Sequence, residues 1–365
     1  MIRILQVVNI MDRAGLETML MNYYRNIDRS KIQFDFLTHR KETGAYDDEI
    51  EQMGGKIYHA PRLYPQNYLN YFKYMKRFFS EHPEYKIIHS HIDSMSYFPL
   101  LVAKKCGIPV RIGHSHNSKI SKDLKYPIKW FALKKMTDVA NSYFSCGRIA
   151  GKFMWPNENF RIIHNAIDLN SFSYNEQVRK KVRNELSLSE NTLVIGHIGR
   201  FNKVKNQLFL LDIFNEISQK RADSELILIG KGEDEEKIRK KIYKLGLNQK
   251  VLVMVDRDDV DKLYQALDIF VMPSLFEGLP VVGVEAQANG LPCIFSDHIS
   301  NEVILTSNAK SYCLNKSAED WAMQIMHQDV SRNSSAFLEM KNNGYDIKSE
   351  AKKLERWYID KYNSV

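Results

Sequence analysis

The chain of 365 residues contains no apolar run approaching the roughly 20 residues that a membrane-spanning helix requires. Its opening segment, Met1-Ile2-Arg3-Ile4-Leu5-Gln6-Val7-Val8, lacks the long apolar core and small-residue cleavage site of a secretory signal. It reads as a first β-strand. Cysteine is scarce: Cys106, Cys146, Cys293 and Cys313 stand far apart, and no CxxC occurs. The expectation is reduced, mostly buried thiols in a cytosolic protein. There is no internal repeat, no low-complexity segment, and no zinc-finger, RRM or helix-turn-helix signature. Neither half carries Gly-x-Gly-x-x-Gly after its first strand, which argues against a nicotinamide-dependent dehydrogenase.

What is present is the make-up of a globular protein, 44% hydrophobic and 26% charged. The length accommodates two domains of ordinary size. The net charge is +8 and the pI about 9.0. A basic balance favours an anionic partner. With nucleic-acid motifs missing, a phosphorylated ligand or an anionic membrane surface is the better match. The excess is clustered. Lys119, Lys122, Lys125, Lys129, Lys134 and Lys135 accompany Tyr126, Trp130 and Phe131, opposed only by Asp123. A second cluster mixes Lys73, Lys76 and Arg77 with Tyr68, Tyr71, Phe72, Tyr74, Phe78 and Phe79. Lysine with aromatic residues on a helix suits the headgroup region of a bilayer. The alternative for both clusters is a solvated helix face over a core stripe.

Strand-like apolar runs alternate with amphipathic stretches, the pattern of α/β units on parallel sheets. A first series places strands at 2–9, 32–38, 56–59, 86–90, 109–114, 138–142 and 160–164. Residues 168–190 read as a polar linker with a short helix. A second series places strands at 192–198, 225–230, 250–255, 268–272, 292–296 and 311–314. Two doubly wound domains are expected, 1–170 and 171–349, with a final helix at about 350–365 that can pack back on the first. Ligands of such sheets bind past the carboxyl ends of the strands.

Four strand ends in the second half are equipped for an anionic ligand. The first is followed by Gly199-Arg200-Phe201-Asn202-Lys203-Val204-Lys205-Asn206, in which two cations can reach one diphosphate. The second is followed by Gly230-Lys231-Gly232-Glu233, a tight turn open to close approach. The third is followed by Asp256-Arg257-Asp258-Asp259, whose backbone can pair with a base edge. The fourth leads into Ser274-Leu275-Phe276-Glu277-Gly278-Leu279-Pro280-Val281, where a helix begins whose amides form an anion site. Carboxylates that touched a phosphate would repel it. Glu277 and Glu285 make sense as acceptors for hydroxyls flanking a diphosphate, as in a nucleotide sugar. Singly, each signal has an ordinary reading: a surface Arg, a turn, an N-cap Asp, a Glu that complements a helix dipole.

Together these segments resemble the donor-binding domain of retaining glycosyltransferases of family 4 (glycosyl transferases group 1), of the kind that build bacterial capsule and exopolysaccharide. The family's Gly-Arg-x(4)-Lys-Asn, Gly-x-Gly and Glu-Gly-x-Pro-x(4)-Glu-Ala stand here as Gly199-Arg200…Lys205-Asn206, Gly230-Lys231-Gly232 and Glu277-Gly278-Leu279-Pro280…Glu285-Ala286. Asn165-Ala166-Ile167-Asp168 is similar to the Asn-Gly-Ile-Asp that closes the family's first domain. The resemblance implies the GT-B fold, two Rossmann-like domains facing each other across a cleft. It implies that Arg200 and Lys205 bind the diphosphate and stabilise the leaving group. Glu285 would accept from ribose hydroxyls and Glu277 would contact the sugar ring. Backbone amides of 278–282 would hold phosphate or sugar, and Arg257 would lie near the base. Val255, where a glycine is common, departs from the pattern.

In the first half, Ala14-Gly15-Leu16-Glu17 is a one-glycine version of the family's Gly-Gly-x-Glu, so Gly15 would bring amides to the donor phosphate. Two His-x-His pairs end strands: His89-Ser90-His91 and His114-Ser115-His116. No Cys or Glu cluster of ligand type accompanies them, so a zinc site is not expected. By the resemblance, His114 is the histidine that bonds a donor hydroxyl, with His116 as the alternative.

The chemistry implied is metal-independent and needs no cofactor: preplaced cations and amides would stabilise the departing nucleoside diphosphate. With no carboxylate placed as a nucleophile, front-face attack by the acceptor hydroxyl is expected. The partners expected are a nucleotide sugar, a saccharide or lipid-linked saccharide acceptor, and an anionic membrane surface met through Lys122, Lys125, Lys129 and Trp130. The location expected is cytoplasmic, peripheral at the inner face of the plasma membrane. A GT-B nucleotide-sugar epimerase and a non-catalytic sugar- or lipid-binding subunit are the alternatives.

Overall fold

The computed structural model describes residues 1–120 and 123–365. The chain forms two compact units: Met1–Ala166 together with Ile347–Val365, and Ile167–Asp346. The first is built on seven parallel strands: β1 (Ile2–Val8), β2 (Ile32–Thr38), β3 (Ile57–His59), β4 (Ile87–Ser90), β5 (Val110–Ser115), β6 (Ser142–Ser145) and β7 (Arg161–Ile162). Their order is β3-β2-β1-β4-β5-β6-β7. The second has six: β8 (Leu193–Ile198), β9 (Ser224–Ile229), β10 (Val251–Met254), β11 (Ile269–Met272), β12 (Cys293–Ser296) and β13 (Ala309–Tyr312). Their order is β10-β9-β8-β11-β12-β13, again parallel throughout.

Each sheet is covered on both faces, which is why its strands read as continuous apolar runs. In β1, Ile4 and Val8 enter one core while Leu5 and Val7 enter the other. In β9, Leu226 and Leu228 face one layer of helices while Ile227 and Ile229 face the opposite one. Both units are thus Rossmann-like. The helix Ile347–Asn363 belongs to the first unit, where Ile347, Ala351, Leu354 and Tyr358 join the core that contains Ile4 and Phe34.

Two expectations are corrected. The sixth strand is Ser142–Ser145, not 138–142. The apolar pair Val139-Ala140 follows a short 3-10 turn and packs under the sheet, and Ser142 pairs with Ile112 of β5. The stretch 168–190 is more ordered than a linker. Its helix Glu176–Glu185 carries Arg183, 3% exposed, which pairs with Asp268 beside β11.

In both sheets the order reverses between two central strands, β1/β4 and β8/β11. The crevice outside the carboxyl ends at such a switch is where open α/β sheets bind ligands. The loops that follow these four strands contain Gly15, His91, Lys205 and Glu277.

Candidate functional site

The second unit brings the loops after β8 and β11 together. Asn206 sits in the left-handed region at φ 59° and starts the helix Gln207–Lys220. Its side-chain amide donates to the Pro273 carbonyl at 3.0 Å. The Leu275 amide donates to the Val204 carbonyl at 2.8 Å. Lys205 Nζ then meets Glu277 Oε1 at 2.7 Å, with both side chains mostly shielded from solvent. Two residues 72 positions apart in sequence are therefore one charge-assisted contact. Arg200 lies on the same loop as Lys205 but is exposed. Its carbonyl accepts from Gln207 at 3.0 Å, and its guanidinium makes no hydrogen bond or ion pair among the described residues.

The Gly230-Lys231-Gly232 turn serves this loop. A Cβ on Gly230 would lie 2.1 Å from the Gly199 carbonyl oxygen, and one on Gly232 would lie 2.3 Å from that of Phe201. The Gly199 amide donates to Ile229 and the Phe201 amide to Lys231, each at 2.9 Å. The close approach these glycines allow is thus made by the neighbouring Gly199–Phe201 backbone, which fixes the base of the Arg200 segment.

The helix Val281–Ala288 starts at Pro280, which supplies no side-chain cap. Gly278, Leu279 and Pro280 lead into its first turn, so amides there lack carbonyl partners within the helix. Glu285 lies one turn further in, partly buried. The Tyr264 hydroxyl donates to Glu285 Oε2 at 2.9 Å. Burial pushes the Glu285 carboxyl up to about 7; Asp261 adds to the rise and the Tyr264 hydrogen bond opposes it. Arg257 is held at the surface by Asp259 through two contacts of 2.8 and 2.6 Å. Ser274 is fully buried, and its hydroxyl has no hydrogen-bond partner among the described residues.

In the first unit, Gly15 is exposed at the first position of the helix Gly15–Asn26, whose N-cap, Ala14, offers no side-chain acceptor. Residues two apart along a strand share a face. His91 and His116, just past the ends of β4 at Ser90 and β5 at Ser115, keep that arrangement and lie beside His89 and His114. Ring centroids are 4.1 Å apart within each pair. Nitrogens of His89, His91 and His114 all fall within 4.8 Å of one another. Desolvation holds His89, His91 and His114 well below the ordinary imidazole value and His116 down to about 3, so all four rings are neutral. Asp93, at φ 47°, accepts from the His116 amide at 2.9 Å and from Asn117, which anchors the outer pair.

The two basic aromatic clusters differ. On the helix Tyr68–Glu81, Tyr71, Met75, Phe78 and Phe79 are buried, so this stripe is core. On the helix Tyr126–Lys134, Trp130 and Phe131 are half exposed and Leu124 just before it is fully exposed. Lys134 lies over the Trp130 ring at 3.8 Å, Lys125 over Tyr64 at 3.9 Å, and Lys129 pairs with Asp123. Lys122 lies outside the described residues. No described helix is long and apolar enough to cross a membrane.

Sequence reasoning missed Tyr264, Gln6, Tyr358 and Asp93. Each works through a partner distant in sequence, whereas Asn206 was already part of the Lys205-Asn206 motif.

Two Rossmann-like units, with a loop clamp at the switch of the second, are the parts from which the GT-B fold is built. Residues 13–171 match the family described as Glycosyltransferase Family 4, and residues 178–345 match Glycosyl transferases group 1. The chain is 36% identical over 309 residues to EpsF of Bacillus subtilis (strain 168), whose name assigns it to the glycosyltransferases, spanning 82% of this chain and 80% of that protein. It is 25% identical over 359 residues to the UDP-Gal:alpha-D-GlcNAc-diphosphoundecaprenol alpha-1,3-galactosyltransferase of Escherichia coli, spanning 90% and 89% of the two chains. Among solved structures, Anabaena Alr3699/HepE in complex with UDP superposes with a TM-score of 0.82 at 16% identity, covering 99% of this chain and 100% of that one. The chain belongs to glycosyltransferase family 4.

Proposed function

We propose that the protein is a retaining, metal-independent glycosyltransferase. It moves a hexose or N-acetylhexosamine from a UDP-sugar to a lipid-linked saccharide during cell-surface polysaccharide synthesis. The observation that carries this reading is the Lys205–Glu277 contact beside the exposed Arg200. In the unliganded site Glu277 holds the Lys205 ammonium in place. An arriving diphosphate competes for that cation, with Arg200 as its second ligand, and the released Glu277 accepts from a sugar hydroxyl. Both cations then face the charge that grows on the leaving phosphate. Glu285 releases its proton to solvent on binding, and the carboxylate then accepts from the ribose hydroxyls. The names of relatives support the choice of donor and acceptor. The E. coli relative is named for UDP-Gal and a diphosphoundecaprenol acceptor, and HepE is described with UDP-glucose.

The half-exposed Trp130 and Phe131, with Lys125 and Lys129, form the face proposed to meet an anionic membrane surface that carries such an acceptor.

The test is a panel of nucleotide sugars read by release of nucleoside diphosphate, with and without EDTA and with and without acceptor. UDP-sugar turnover that needs acceptor and survives EDTA is expected, with the anomeric configuration of the product kept by NMR. Conversion of donor without acceptor would establish an epimerase instead.

A further inference from the structure

The four histidines do not form four separate contacts. With Gln6 and Tyr358 they form one chain of hydrogen bonds whose direction can be worked out. His116 Nε2 lies 3.1 Å from His91 Nδ1, and His91 Nε2 lies 2.8 Å from Gln6 Oε1. Gln6 Nε2 lies 3.5 Å from the Tyr358 hydroxyl, which lies 2.6 Å from His89 Nδ1. His89 Nε2 lies 3.1 Å from His114 Nδ1. His114 Nε2 is buried and has no hydrogen-bond partner among the described residues.

An amide oxygen only accepts and an amide nitrogen only donates. Gln6 therefore sets the direction at one point, and the rest follows. His91 must carry hydrogen on Nε2 to reach Gln6 Oε1, so its Nδ1 is bare and accepts from His116 Nε2. Gln6 Nε2 donates to the Tyr358 oxygen, so the phenol hydrogen goes to His89 Nδ1. His89 then carries its hydrogen on Nε2 and gives it to His114 Nδ1. Burial keeps the Tyr358 phenol protonated and the imidazoles neutral, so no step is lost to ionisation. Among the described residues, every ring nitrogen of His89, His91 and His114 is in a hydrogen bond except His114 Nε2.

We infer that Gln6 and Tyr358 are positioning residues that fix all four histidines as Nε2–H tautomers, so that His114 presents a neutral N–H donor to an oxygen of the ligand and cannot act as a base. This rests on the proposed transferase reading for the ligand, but not for the tautomers. The chain reaches His114 through a residue near the C-terminus, since Tyr358 lies in Ile347–Asn363. The same count explains why three imidazoles within reach of one ion need not be ligands: their nitrogens already serve each other.

The test has two arms. The first is 15N–1H long-range correlation on protein labelled with 15N-histidine, assigned with single His→Gln variants. Four Nε2–H patterns are expected in the unliganded protein. Tyr358→Phe should leave His91 and His116 unchanged and alter the nitrogen shifts of His89 and His114. An Nδ1–H tautomer at His89 or His114 in the wild type would overturn the inference. So would stoichiometric Zn2+ uptake that removes these resonances. The second arm is kinetic. His114→Gln, which keeps an amide donor but no basic nitrogen, should stay within about 5-fold of wild-type kcat/KM, while His114→Ala should fall by about 100-fold. Equal loss in both variants would show that basicity is required and would refute the donor role. The spectra stand whether or not the donor is a UDP-sugar, so failure of the tautomer assignment and failure of the functional reading are told apart.

Discussion

Replacing Glu285 by glutamine should make the unliganded protein more stable at alkaline pH and worse at binding nucleotide. Burial raises the Glu285 carboxyl from 4.5 to about 7 in the folded state. Between these values the folded protein holds a proton that the unfolded chain has released, so stability falls as pH rises. At about 1.36 kcal/mol per unit, the full effect is up to roughly 3 kcal/mol, complete above pH 7 and absent below pH 4.5. Glu285→Gln keeps an acceptor for the Tyr264 hydroxyl but cannot ionise. Its urea-unfolding free energy should match the wild type near pH 4.5 and exceed it by roughly 2–3 kcal/mol at pH 8.5. In calorimetry at pH 8 the same variant should bind UDP about 10-fold more weakly, as expected for loss of a charged acceptor. A stability difference that does not change with pH would refute the reasoning, because the raised carboxyl would then not be the cause. Uptake of a proton on UDP binding at pH 7, instead of release, would refute the ribose role.

Arg200→Ala should lower kcat/KM at least ~100-fold with little change in thermal stability, since the exposed guanidinium has no hydrogen-bond or ion-pair partner among the described residues. A double-mutant cycle on UDP release with Lys205→Ala and Glu277→Ala should show coupling of about 0.5–3 kcal/mol; additive losses would mean that the pair does not act as a unit. Gly230→Ala places a Cβ against the Gly199 carbonyl at 2.1 Å and should cost about 1–3 kcal/mol, seen as a lower melting temperature. Charge reversal of Lys122, Lys125 and Lys129 should release the protein from vesicles containing anionic lipid; unchanged sedimentation with them would remove the membrane face from the proposal.

Much of the fold can be read in the chain because the sheets are buried on both faces. Most of the strands announce themselves as apolar runs close to where they form, while the edge strands β7 (Arg-Ile) and β13 (Ala-Lys-Ser-Tyr) are weaker. The strand β6 is Ser-Tyr-Phe-Ser, polar at both ends and outshone by the apolar pair just before it. The Lys205–Glu277 clamp was foreshadowed because each partner follows a strand end, and strand ends at a switch point gather at one edge. The histidine chain was not: a spacing of two puts each pair on one face, but nothing in it shows that β4 and β5 are neighbours with Gln6 of β1 beside them. Tyr264 and Tyr358 were invisible for a different reason. Nothing near them in sequence shows that Glu285 or His89 is the partner, and both read as ordinary apolar positions of a helix.

The helix Ile347–Asn363 covers one face of a sheet begun by β1. During synthesis, Phe34 and its neighbours stay uncovered on that face until residues 347–363 have been made. The unit between, Ile167–Asp346, is unbroken in sequence and has no such delay. The order of maturation is thereby inverted: the middle of the polypeptide is free to settle first, and its beginning is finished last.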